Sequence, residues 1–228
     1  MSHLIDIFLQ PGKVFVQLKD RPTFVVPTVI AAVFAIAMTL AYFLRVDPAW
    51  FAEQTLVSAG SELSAKEIEQ MKAVMPSAPV MGYIGAATAP VTIAAIYALL
   101  ALYFLLAGKV AGVSLSFKQG LSLVAWSGMP AVLGSVVGLI GALTMSPQTT
   151  FESLMLTNID PLFVQLASDD PWAPLLRTVG LLNLWVWFLS ALGWKTWGRT
   201  GWGQAIFVSV LPYAVIFAGM AAFAMMRG

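Results

Sequence analysis

Chemistry needs side chains that attack, exchange protons or hold a metal, and this sequence supplies few of them. Its one histidine is His3, close to the amino terminus, and it has no cysteine. Disulfides, thiolate metal sites, cysteine nucleophiles and a Ser–His–Asp arrangement therefore have nothing to be built from. Intramembrane proteolysis fares no better. A serine type lacks its histidine, an aspartyl type its acid pair, and a metal type its H-E-x-x-H motif. No basic run resembles a phosphate-binding face, so nucleic acid is not an expected partner. The sequence predicts a protein that is not an enzyme and carries no metal or cofactor.

What remains are residues unusual for the apolar surroundings in which they stand. Arg177 lies a short way into an apolar stretch, where a charge is costly and usually marks a function. It either snorkels to the membrane surface and pairs with an acid of a neighbouring loop, or lines a cavity that receives an anionic headgroup or solute. Asn183 sits deeper in the same stretch, beside Trp185 and Trp187. An interhelical hydrogen bond and a ligand contact are its two readings.

Pro90, Pro130 and Pro212 fall inside other apolar runs, and each frees the carbonyl four residues earlier: Ala86, Trp126 and Val208. A freed carbonyl in hydrocarbon needs a partner or a water-filled cavity. Broken helices around a polar site would suit a permease. Kinks whose carbonyls are satisfied by nearby side chains would suit simple packing. Gly134 and Gly138 form a GxxxG continued by Gly141, and Ala214, Ala218 and Ala222 form a similar stripe. Gly82 with Ala86 and Gly85 with Ala89 do the same elsewhere. Such residues let backbones approach closely, within one chain or in a homo-oligomer.

The elements holding these residues follow from composition. Of 228 residues, 59% are hydrophobic and only 10% charged, and mean hydropathy is +0.85. A water-facing domain carries about 25% charged residues. Crossing a bilayer takes about 20 apolar residues. Five stretches are long enough: 23–44, 80–107, 120–145, 172–194 and 204–226. All but the fourth lack Asp, Glu, Lys and Arg. The first is too long for a secretory signal core of about 7–15 residues, and the Ala35-x-Ala37 pattern falls in mid-run, so the span is expected to be retained.

Short loops set orientation. Lys13, Lys19, Arg21, Lys109, Lys118, Lys195 and Arg199 fall on one side. Nine of the eleven acids fall on the other, with Arg45, Lys66, Lys72, Arg177 and Arg227. The expectation is a cytoplasmic amino terminus and an extracytoplasmic carboxyl terminus.

Residues 45–79 and 146–171 should form a helical outer cap. Ser64 with Glu67 makes a capping-box pattern, with Ile68, Met71 and Met75 on one face after it. Asp160-Pro161 should open a helix over "PLFVQLA", and Asp170-Pro171 should cap the fourth span. Trp50 and Trp172 would mark the outer interface, and Trp194, Trp197 and Trp202 the inner one. In residues 1–22, Val14, Phe15 and Leu18 share a helical face with cations beside it, which reads as an interfacial helix on anionic headgroups. Pro22 ends it and Pro27 falls in the first turn of the next helix, forming an elbow.

Pro11, Phe15, Leu18, Pro22 and Pro27, followed by five spans, resemble the amino-terminal signature of bacterial members of the Yip domain family. "SFKQGLSLVAWSGMPAVLG" and "GWGQAIFVSVLPYAVIFAG" each place a Gln at a span entrance and a Pro within, as that resemblance implies. Eukaryotic members are five-span proteins of the secretory pathway that associate with Rab-type GTPases. Their acidic-aromatic-glycine-proline signature is missing before Thr23, so the resemblance does not bring that role with it.

The fold expected is all-α: residues 1–22 as an amphipathic elbow and 23–228 as a five-span bundle in the bacterial inner membrane. The function expected is non-enzymatic membrane organisation or scaffolding through lipids, other membrane proteins or a homo-oligomer. A small-solute or lipid permease is the alternative. The inner loop 108–118 is the candidate partner surface.

Overall fold

The computed structural model describes residues 2–58, 65–167 and 169–227. The described residues are helical, without a β-strand. The chain opens with α1 (Ser2–Leu9) and α2 (Pro11–Asp20), followed by α3 (Val25–Phe43). Next come α4 (Pro48–Ser58), α5 (Ala65–Val74) and the long α6 (Ala78–Ala111). After α7 (Phe117–Ser127) and α8 (Met129–Thr144) come a 3-10 turn (Glu152–Leu154) and a single turn, α9 (Ile159–Leu162). The last are α10 (Ala173–Thr178), α11 (Leu181–Gly198) and α12 (Trp202–Arg227).

The chain runs back and forth between two ends. One end carries the hairpin of α1 and α2; the other carries the cap of α4, α5, α9 and α10. Small residues set the spacing of the helices. A Cβ added to Gly82 of α6 would stand 2.6 Å from the Phe43 Cβ of α3, and one on Gly120 of α7 would stand 2.8 Å from the Ala101 carbonyl of α6. Both contacts need glycine because the neighbouring atoms are backbone or close to it.

Among the described residues three helices are long and apolar enough to cross a membrane: α3, α6 and α12. The pair α7 and α8 qualifies as one span bent by 41°. The bend falls at Gly128, where Pro130 enters the first turn of α8 and cannot extend the α7 hydrogen-bond ladder. The stretch 172–194, expected to be one continuous span, is interrupted. Val179 and Gly180 adopt extended backbone, and Ile159 N–H donates to Val179 O at 2.8 Å while Leu181 N–H donates to Thr157 O at 2.9 Å. The backbone there pairs with the cap instead of with its own helix.

The cap differs from the sequence expectation in two further ways. Asp170 accepts from the Trp172 N–H at 2.8 Å, closing a turn before the short α10, whose N-cap position falls to Trp172 instead. The helix over "PLFVQLA" is reduced to the turn α9, because Asp160 turns its carboxylate to Arg177 instead of to helix N–H groups. The Ser64–Glu67 capping box falls on Ser64, outside the described residues.

The hairpin end holds the main core. Ile7, Val14, Phe15 and Leu18 are buried together with Leu123, Leu189, Trp194 and Trp197. The apolar face of α2 is therefore covered by protein, against α11 and α7, and is not open to lipid. This changes the part played by two tryptophans. Trp194 and Trp197, expected at the membrane interface, are fully enclosed because α2 lies over them, while Trp202 is exposed.

Candidate functional site

Two clusters gather the residues singled out by the sequence. The first runs along the bundle from the hairpin. Trp126 Nε1–H donates to Thr23 O at 2.7 Å, and the Ser122 hydroxyl donates to the same oxygen at 2.9 Å. Proline at 27 leaves no N–H four residues on to claim that carbonyl, so α7 satisfies it from across the bundle. Gln119 Nε2–H donates to Lys19 O at 2.9 Å, Lys19 Nζ–H to Trp197 O at 2.9 Å, and Trp197 Nε1–H to Phe15 O at 2.6 Å. His3 Nε2 lies 2.6 Å from Gln17 Oε1, and its ring meets Trp126 edge-on at 5.6 Å. The hairpin is thus fastened to α7 and α11, and the elbow after it to α7, by side chains that donate to backbone carbonyls, of which Lys19 O, Thr23 O and Trp197 O lie at or beyond helix ends.

Deeper in, Ser190 Oγ–H donates to Ser127 Oγ at 2.9 Å, and Ser127 in turn donates to Leu123 O at 2.7 Å. Both serines are buried, one on α11 and one on α7. Pro212 frees Val208 O, and the Tyr103 hydroxyl of α6 donates to it at 2.6 Å. Pro130 is buried at the start of α8, and Pro90 is half-buried inside α6. Three of these partners, Tyr103, Ser190 and Thr23, had no sequence signal of their own. The freed carbonyl predicted that a donor was needed but not which helix would supply it.

The second cluster is at the cap end. Arg177 Nε–H donates to Asp160 Oδ2 at 3.1 Å, and Nη2–H donates to Leu166 O at 3.2 Å. Asp160 is buried. Asn158 Nδ2–H donates to Arg177 O at 2.6 Å, which fixes the α10 end against the cap. Asn183 makes a local bond, Nδ2–H to Thr178 O at 3.4 Å, across the break before α11. The bond links α11 to the end of α10, two helices consecutive in the chain, and so ties the two halves of the interrupted stretch together.

The small residues divide. A Cβ on Gly138 would meet Met38 of α3 at 2.8 Å and Met155 at 2.9 Å, and one on Gly134 would meet Leu182 and Thr157 at 3.3 Å. The GxxxG of α8 thus serves contacts inside the chain. Ala214, Ala218 and Ala222 are exposed, because α12 turns Ala205, Val208, Ser209 and Ala224 inward instead. In loop 108–118, Gly112 closes α6 at φ +69°, a left-handed turn suited to glycine. Val113 and Leu115 are buried, whereas Lys109, Val110 and Lys118 stay exposed.

The Yip1 domain matches residues 5–223. The chain belongs to the Yip1 domain family. This match begins inside α1 and ends near the close of α12, so the hairpin and the bundle fall within one family unit. The Yip1-family chain is also similar to the "Membrane protein YknW" of Bacillus subtilis (strain 168), 28% identical over 222 residues, which is 95% of this chain and 90% of that protein. No solved structure matches it.

Proposed function

We propose that this Yip1-family membrane protein organises or scaffolds other membrane components and does not catalyse a reaction. One observation supports this above the others: several polar groups inside the bundle bond to one another or to backbone carbonyls. Ser190 is spent on Ser127, Tyr103 on the carbonyl freed by Pro212, and Trp126 on Thr23. Prolines satisfied in this way are packing kinks. The helices α6 and α12 meanwhile keep most of their apolar surface outward, with 17% and 11% of their spanning windows buried. That surface is available to lipid, to other membrane proteins or to a second copy.

In this reading the chain crosses the bacterial inner membrane five times, α10 and α11 together making the fourth crossing. The hairpin end faces the cytoplasm with Lys13, Lys19, Lys109 and Lys195, and the cap faces outward.

A permease is the second reading. The 41° break between α7 and α8 favours it, as do the buried Ser209 hydroxyl and Trp187 indole nitrogen, which have no hydrogen-bond partner among the described residues. Flux through proteoliposomes separates the two. The scaffold reading expects the leak of water and small solutes to equal that of protein-free liposomes, and a protein-dependent flux would overturn it.

A further inference from the structure

A cleft of about 380 Å³ opens at the cap end, within the size range of small-ligand sites. Its lining combines aromatic rings with charges of both signs: Phe43, Trp50, Phe51 and Phe151 with Glu152 and Arg177. The rings form a continuous wall. Phe43 meets Phe51 edge-on at 5.5 Å and lies nearly parallel to Phe151 at 6.4 Å. Tyr42 anchors the wall from behind, donating its hydroxyl to Thr149 O at 3.1 Å.

Arg177 is held in place before any ligand arrives. Asp160 and Leu166 O engage two of its N–H groups, and a guanidinium carries five. It can therefore still donate to an anionic group. Asp160 already balances its charge, so of the charged groups lining the cleft Glu152, which is exposed, is left as a negative charge in excess. A simple anion would meet that excess as repulsion. A ligand carrying an ammonium a short distance from its anion would not, and an ammonium against aromatic faces is further favoured by the ring quadrupoles.

We propose that this cleft binds a phosphate–ammonium zwitterion, with the ammonium between the aromatic wall and Glu152 and the phosphate on Arg177. Its place at the end of α3, where a membrane-crossing helix gives way to loop, puts it level with phospholipid headgroups. Phosphatidylethanolamine in the adjoining leaflet has this chemistry, and so does its soluble headgroup. The site goes beyond the scaffold reading and holds whether or not the bundle conducts anything.

Native mass spectrometry of the full chain, released from nanodiscs holding equal phosphatidylethanolamine and phosphatidylglycerol, tests it. Wild type should retain the zwitterionic lipid in preference. Glu152→Gln and Trp50→Ala should each lower that retention about tenfold while leaving phosphatidylglycerol unchanged. An unchanged melting temperature checks that each variant is folded. Adding glycerophosphoethanolamine separates the sources: failure to compete assigns the site to the lipid, and competition assigns it to the soluble zwitterion on the same contacts. Equal retention of the two lipids by wild type, or retention unaltered in both variants, would overturn the proposal.

Discussion

The Tyr103 hydroxyl lies 2.6 Å from the carbonyl of Val208, the oxygen that Pro212 deprives of its helical partner. One helix thus repairs a defect in another, and the repair fixes where α6 and α12 meet. In hydrocarbon such a bond contributes roughly 0.6–2 kcal/mol. Tyr103→Phe should cost about that much in a detergent unfolding titration. In a Pro212→Ala background the helix claims its own carbonyl, and the cost of Tyr103→Phe should largely vanish. A double-mutant cycle that returns simple additivity would show that the Tyr103 contribution does not depend on the defect made by Pro212.

The pair of Arg177 and Asp160 is a different case, because Asp160 has almost no access to solvent. Removing one partner strands a buried charge. Arg177→Met should destabilise the chain by about 3 kcal/mol or more, and Arg177→Met with Asp160→Leu by much less. Unfolding midpoints for the two variants side by side check the order.

At the other end, Trp197→Phe keeps most of the ring but removes the donor to Phe15 O. The hairpin should then open more often. Trypsin cleavage at Lys13, Lys19 and Arg21 should be about fivefold faster than in wild type, matching the loss of one hydrogen bond of about 1 kcal/mol. Equal cleavage rates would mean that this bond does not hold the hairpin closed.

Glycines and alanines should separate by their neighbours. Gly120→Ala pushes a methyl group into the Ala101 backbone and should cost about 1–3 kcal/mol. Ala218→Leu adds volume on an exposed face and should stay within about 0.5 kcal/mol in the monomer. Thermal unfolding of both variants reads this difference directly.

Much of the helix framework was legible because apolar run length is a local property. The runs at 23–44, 80–107 and 204–226 appear as α3, α6 and α12, each slightly shifted at its ends. The break in 172–194 was not legible, since it depends on Val179 and Gly180 pairing with residues 157–159 of the cap. The same holds for the hairpin. The amphipathic face of α2 was plain from Val14, Phe15 and Leu18, but periodicity reports only that a face must be covered, and here protein covers it. Arg177 was marked by its setting, whereas Asp160 was one acid among several until the fold brought them together.

A chain without cysteine allows the central claim, a bundle dry at its middle, to be tested in native membranes. Cysteines placed singly at Ser127, Ser190 and Ser209 are challenged with a small water-soluble, membrane-impermeant maleimide, with Glu152→Cys as the exposed control. A dry bundle predicts rapid labelling at position 152 and silence at the other three. Labelling at Ser127 or Ser190 would show water reaching the core and contradict the scaffold reading in favour of a conducting one.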